Sequence, residues 1–264
     1  ASRAIKYFAA GESPSNPVIF PGGIRPGQTE SKLQTPPPEP LAAPVTTMRV
    51  TEFRDYLACP YRYYLRHRLK LAEMIDSDRE LDGRAFGSLA HDVLKEFGET
   101  PIADCTDPSQ ISAWLSESLD RNVARQYGGM PLAAVRVQVE QLRRRLGQFA
   151  DWQADWRERG WRIEHVEVAP ENGNAALIVD REPMILHGRI DRIDLNESTG
   201  EHLVFDYKTS DAPRTPEKTH QDKDSWIDLQ LPLYRLLLAG VLKEDGTPYV
   251  PEAEQGRVQL GYIL

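Results

Sequence analysis

After residue 159 the apolar rhythm of this chain changes period, and that change restricts the fold more than any other feature. Upstream, Val135, Val139, Leu142, Leu146, Phe149 and Trp152 recur at three- and four-residue steps, which predicts one long helix from about Leu132 to Arg159. Downstream, WRIEHVEVAP (161–170), AALIVD (175–180), MILHGRIDRIDL (184–195) and HLVFDYKTS (202–210) read as strands. A helix face and a sheet face each have apolar surface to bury, and stacking one on the other is the stable solution.

The rest of the chain fits that layering. MRVTEFRDYLACPYRYYLRHRL opens with Thr51 as a plausible N-cap, and Pro60 breaks it into two short helices. FGSLAHDVLKEF (86–97) is amphipathic, and another helix is expected over 109–127. WIDLQLPLYRLLLAGVL (226–242) reads as a returning helix and RVQLGYIL (257–264) as a last strand. The expectation is an α/β fold, one mixed sheet flanked by helices with an N-terminal helical portion. Residues 1–47 hold nine of the twenty prolines and read as a linker or extension, so the folded unit is expected over 48–264.

Composition narrows the function classes. A net charge of −8 argues against a wholly basic DNA-wrapping face, though not against a local patch. No apolar run approaches the ~20 residues of a membrane span. Two distant cysteines, Cys59 and Cys105, form no disulfide framework and fit a reducing compartment, the cytoplasm by default. The first residues carry neither a secretory signal nor an initiator Met, which reads as a piece of a longer soluble polypeptide. With no GxxxxGK[ST], this piece is not expected to hydrolyse ATP.

The chemistry concentrates in LHGRIDRIDLNESTGEHLVFDYKTS (186–210). Aspartate is a poor strand former, and a buried carboxylate is costly unless compensated. Asp206 and Lys208, two residues apart, share a strand face. With Ser198 and Thr199 at the hairpin tip, Asp191 falls opposite Asp206, and opposed Cβ atoms lie about 5 Å apart. Two carboxylates so close call for a cation, and an oxygen-rich set favours Mg²⁺ or Mn²⁺. A lysine beside that cation suits attack of water on a phosphodiester. Taken alone, the same residues also describe a surface hairpin with an exposed salt bridge.

Five motifs in order go further: TEFRDYLACPYRYYLRHRLKL, then GSLAH (Gly87 to His91), GRID (Gly188 to Asp191), Asp206-Tyr207-Lys208 and QLPLY (Gln230 to Tyr234). In these the chain resembles the PD-(D/E)XK nuclease superfamily, in particular the RecB- and AddB-like nucleases, from about Val50 to Leu264. The resemblance implies a restriction-endonuclease-like core and a metal-dependent (exo)deoxyribonuclease that hydrolyses phosphodiesters with metal-activated water. It implies His91, Asp191 and Asp206 as metal ligands with the Tyr207 carbonyl, and Lys208 as the catalytic lysine. Gln230, Tyr234 and Thr209 would support the site or touch nucleic acid. Read from the residues themselves, Arg62 and Arg66 stand in a locally basic run with interleaved aromatics that either contacts phosphates or forms a solvated helix face. Cys59 matches the first ligand of an iron–sulfur cluster found in AddB-type members, a cluster possible only in a longer parent. DNA and a helicase domain or subunit are the implied partners, with no membrane. The alternative is a nuclease-fold module that binds DNA or a helicase without cutting.

Overall fold

Why the helices form where they do is legible in what they bury. The structure, a computed structural model, describes residues 40–71, 80–171, 173–209, 216–223, 225–251 and 258–263. The proline-rich segment expected to be a linker falls mostly outside them. Helix α1 (Phe53–Ala58) and helix α2 (Pro60–Tyr63, running on into a π turn over Tyr64–Arg68) flank an extended Cys59, with Pro60 at the first helical position as its missing N–H favours. Thr51 is not an N-cap: it lies inside a 3₁₀ turn, Val50–Glu52, that runs straight into α1. Helix α3 (Gly83–Gly98) starts on a true cap, Asp82, whose side chain accepts from the Ala85 N–H. Helices α4 (Pro108–Tyr127) and α5 (Ala133–Glu158) complete the layer. Leu89, Val93 and Phe97 of α3 pack with Ile111, Leu115 and Leu119 of α4 and Leu142, Leu146 and Ala150 of α5.

The main sheet has strand order β2 (Trp161–Val168), β5 (Ile190–Asn196), β6 (His202–Tyr207) and β9 (Gln259–Ile263). Strands β2, β5 and β6 are antiparallel, and β9 joins β6 in parallel, so the sheet is mixed. Phe205 and Tyr207 turn toward the helical layer, onto Trp152 and Phe149. On the opposite face Val204, Ile190 and Ile193 pack with Leu233, Leu237 and Leu238 of a later helix, α7 (Gln230–Ala239). A short helix α6 (Pro216–His220) and a two-stranded ribbon, β7 (Gln221–Asp222) with β8 (Ser225–Trp226), precede it. The returning helix is thus shorter than the expected 226–242, because Trp226 belongs to the ribbon and Asp228 Oδ1 takes the Gln230 N–H at the helix start.

The sheet is not single. The segment 184–195, expected as one strand, divides at Gly188: β4 (Glu182–His187) pairs with β1 (Thr47–Arg49) and β3 (Ala176–Val179) in a separate three-stranded sheet, and β5 enters the main one. Gly188 makes the crossing feasible because a Cβ there would stand 2.8 Å from Val50 Cγ2 and 2.9 Å from Leu237 Cδ1. A further charge on the sheet is also absorbed. Arg192, fully buried, makes paired bonds of 2.7 Å to Asp194, which also accepts from Trp156 Nε1 at 2.8 Å. The guanidinium stacks over Trp152, 5.4 Å from its centre.

Candidate active site

Strands β5 and β6 pair with Arg192 opposite Phe205 and Ile193 opposite Val204, the register that sets Asp191 across from Asp206 at the strand ends. Asp206 is 1% exposed and Asp191 7%. Asp206 Oδ1 accepts from Gln230 Nε2 at 2.7 Å and from the Tyr234 hydroxyl at 3.0 Å, while Oδ2 lies 2.6 Å from Lys208 Nζ. Oδ2 is buried and accepts no well-aligned hydrogen bond. Lys208 Nζ also donates to Gln230 Oε1 at 3.2 Å. Gln230 and Tyr234, four apart on α7, therefore present one face to the carboxylate.

Asp191 links this group to a second one. Its Oδ2 accepts from the Tyr207 backbone N–H at 2.9 Å, and its Oδ1 is 3.5 Å from the Tyr234 hydroxyl. His91 Nδ1 lies 3.8 Å from Asp191 Oδ2 and 3.3 Å from Glu167 Oε1. The imidazole meets the Tyr207 ring edge-on at 5.6 Å. Helix α3 can come this near because Gly87 has no side chain: a Cβ there would sit 3.3 Å from Thr209 Oγ1. Thr209 itself accepts at its carbonyl from Arg145 Nη1 at 2.7 Å.

One member was missed in the sequence. Glu167, on β2, has its ligand atom within 4.8 Å of those of His91 and Asp191, a grouping able to hold a metal ion. It lies between the pairs Val166–Arg192 and Val168–Ile190, hence beside Asp191, in a left-handed backbone conformation (φ +51°) that non-glycine residues seldom adopt. The signal was there, an acid set between Val166 and Val168 in an otherwise apolar strand end. Asp206 stands outside that grouping, held instead by Lys208, Gln230 and Tyr234.

Burial, with the charge of Asp206 next, pushes the Asp191 carboxyl up to about 7, against the pull of His91 and the Tyr207 N–H. Burial would lower His91, but the hydrogen bond to Glu167 and the charges of Asp191, Glu167 and Asp206 raise it overall. Burial and the two aspartates hold the Tyr234 phenol well above its ordinary range, so it serves as a donor. Beside Asp191 opens a cleft of about 630 Å³, floored by Asp191, Gln230 and Tyr234 and walled in part by Arg49, His187 and Arg189.

The remaining candidates lie elsewhere in the contact network. Arg62 and Arg66 turn to Asp55, at 3.0 and 3.2 Å. Cys59 is an exposed free thiol and Cys105 a half-buried one.

The family model for the PD-(D/E)XK nuclease superfamily matches residues 47–262. The chain belongs to that superfamily. It is also 27% identical over 237 residues to one subunit of an ATP-dependent helicase/deoxyribonuclease from Clostridium acetobutylicum, a match covering 82% of this chain and 19% of the relative. A protein of the same name from Desulforamulus reducens is 28% identical over 176 residues, 61% of this chain and 15% of the relative. The chain thus spans less than a fifth of the length of these relatives. The layered architecture, mixed sheets between helices, agrees with the superfamily's restriction-endonuclease-like core, and the D-x-K and Q-x-x-x-Y residues of this superfamily member meet at one point. Among the described residues no helix is long and apolar enough to cross a membrane.

Proposed function

We propose that residues 48–264 form a divalent-metal-dependent deoxyribonuclease domain of a larger helicase–nuclease protein, acting on DNA in the cytoplasm. The observation that carries this reading is the Lys208 ammonium, 2.6 Å from Asp206 and joined through Gln230 and Tyr234 to a buried cluster of acids with one imidazole.

The donor set fits Mg²⁺ or Mn²⁺. Asp191, Asp206 and His91, with the Tyr207 carbonyl, would hold the ion, and Glu167 stands beside them. Buried carboxylates that repel one another are relieved by a divalent cation, and Asp206 Oδ2, ion-paired with Lys208 but accepting no well-aligned hydrogen bond, keeps a lone pair open to one. When bound, the ion supplies charge neutralisation at a phosphodiester and makes a nearby water more acidic. The protein's own groups do the rest. Lys208 orients the water and meets negative charge developing on phosphate oxygens. Gln230 keeps Lys208 and Asp206 in fixed relation, and Tyr234 holds Asp206 and Asp191 at one spacing. The cleft beside Asp191 offers the guanidinium groups of Arg49 and Arg189 to a strand's phosphates, two cations on a chain of net negative charge.

The test is cleavage of labelled single- and double-stranded DNA in Mg²⁺ and in EDTA. Lys208→Ala should lower kcat by about 10²–10⁴-fold while Mg²⁺ still raises the melting temperature. Undiminished cleavage by Lys208→Ala removes the mechanism. DNA binding by the wild type with no metal-dependent cutting would make this a binding module instead. Within the resemblance to helicase–nuclease subunits, the partner is a helicase domain or subunit.

A further inference from the structure

The contacts of Lys208 close on themselves. Its Nζ donates to Gln230 Oε1 at 3.2 Å and lies 5.1 Å from the centre of the Tyr262 ring. Tyr262 stands on β9 in register beside Asp206, with its hydroxyl 2.5 Å from Nε2 of His220. His220, 3% exposed, has its Nδ1 3.0 Å from the Asp228 carbonyl. A carbonyl only accepts, so Nδ1 carries the proton and Nε2 accepts from the Tyr262 hydroxyl. Burial lowers the His220 pKa, which suits that neutral form. Asp228 Oδ1 then accepts from the Gln230 N–H at 2.7 Å, and the circuit returns to Lys208.

We propose that Tyr262 is a positioning residue for Lys208, its ring seating the ammonium while His220 fixes the ring by holding the phenol. The proposal deepens the nuclease reading and rests on it, since that reading gives Lys208 its task. The physical reason is a count of donors. An ammonium has three N–H groups. Gln230 Oε1 takes one of them, and Asp206 Oδ2, 2.6 Å away, is paired by charge without a well-aligned hydrogen bond. A further acceptor would compete with a water or a phosphate oxygen for the remaining N–H groups, whereas a π face attracts the cation without needing one. Tyr262 thus restrains a side chain of four rotatable bonds without taking an N–H that a water or a phosphate oxygen could use.

The test uses the full chain. Tyr262→Leu should lower kcat about tenfold, with KM and the calorimetric Mg²⁺ dissociation constant within about twofold of wild type. Tyr262→Phe, which keeps the ring, should recover most of that loss. Phenylalanines of increasing fluorination placed at position 262 keep the shape and weaken the π face, and kcat should fall stepwise along the series. In metal-free protein with ¹³C-labelled lysine, the Lys208 Hε resonance, identified by its loss in Lys208→Arg, should show an upfield ring-current shift that persists in Tyr262→Phe and vanishes in Tyr262→Leu. A flat fluorination series, or a Lys208 resonance without that shift, overturns the proposal even if Tyr262→Leu fails to fold. A wild type that never cleaves overturns the nuclease reading instead, and the resonance alone then decides whether the ring seats the lysine.

Discussion

Replacing Asp191 by Asn should stabilise the metal-free protein while abolishing its chemistry, because the site holds its acids in a costly arrangement. Asp191 is almost fully buried, faces Asp206, and has the His91 imidazole as its nearest basic partner at 3.8 Å. Its carboxyl is raised from the ordinary 3.8 to about 7. The folded state therefore holds this proton more tightly than the unfolded chain does, so stability falls as pH rises from about 4 to about 7 and stays low above that. At about 1.4 kcal/mol per pH unit, the upper bound on that loss is about 4 kcal/mol. Asn keeps an acceptor for the Tyr207 N–H and offers Asp206 an N–H, but its amide is itself desolvated, so a net gain of about 2 kcal/mol is expected at pH 8. For a domain of this size that is about 4–8 °C in melting temperature. The assay is thermal or urea unfolding of both proteins in EDTA at pH 5 and pH 8. The gain should be present at pH 8 and nearly absent at pH 5. Equal pH slopes for the two proteins, or a variant less stable at pH 8, would refute the reasoning.

Three further outcomes follow from the geometry. Glu167→Gln should weaken Mg²⁺ binding about tenfold by calorimetry through its contact with His91, and an unchanged affinity would remove Glu167 from the site. Gly188→Ala, whose Cβ would collide with Val50 and Leu237, should cost about 1–3 kcal/mol in urea unfolding. Arg192→Met should destabilise by about 3–5 kcal/mol by stranding the buried Asp194, and adding Asp194→Leu should restore most of the loss. A double variant as unstable as the single would show that packing against Trp152, rather than charge, is what Arg192 supplies.

How much was legible depended on how local each cause is. Periodicity is a property of neighbours along the chain, so α3, α4, α5 and the β5–β6 hairpin could be read directly, and with them the register that opposes Asp191 and Asp206. Glu167, Tyr262 and His220 were not found, because each matters only through what another segment brings to it. Glu167 is significant because β2 lies beside β5, and Tyr262 because β9 returns in parallel to β6.

The amino-acid order by itself determined the layers, the hairpin and the D-x-K face, since helix and strand periods and turn residues act over a few positions. Only the tertiary structure decided that one expected strand would divide at Gly188 between two sheets, and that the lysine's ammonium would rest against the ring of a distant strand. Close packing makes those choices, because whether a side chain fits depends on atoms contributed from far along the chain.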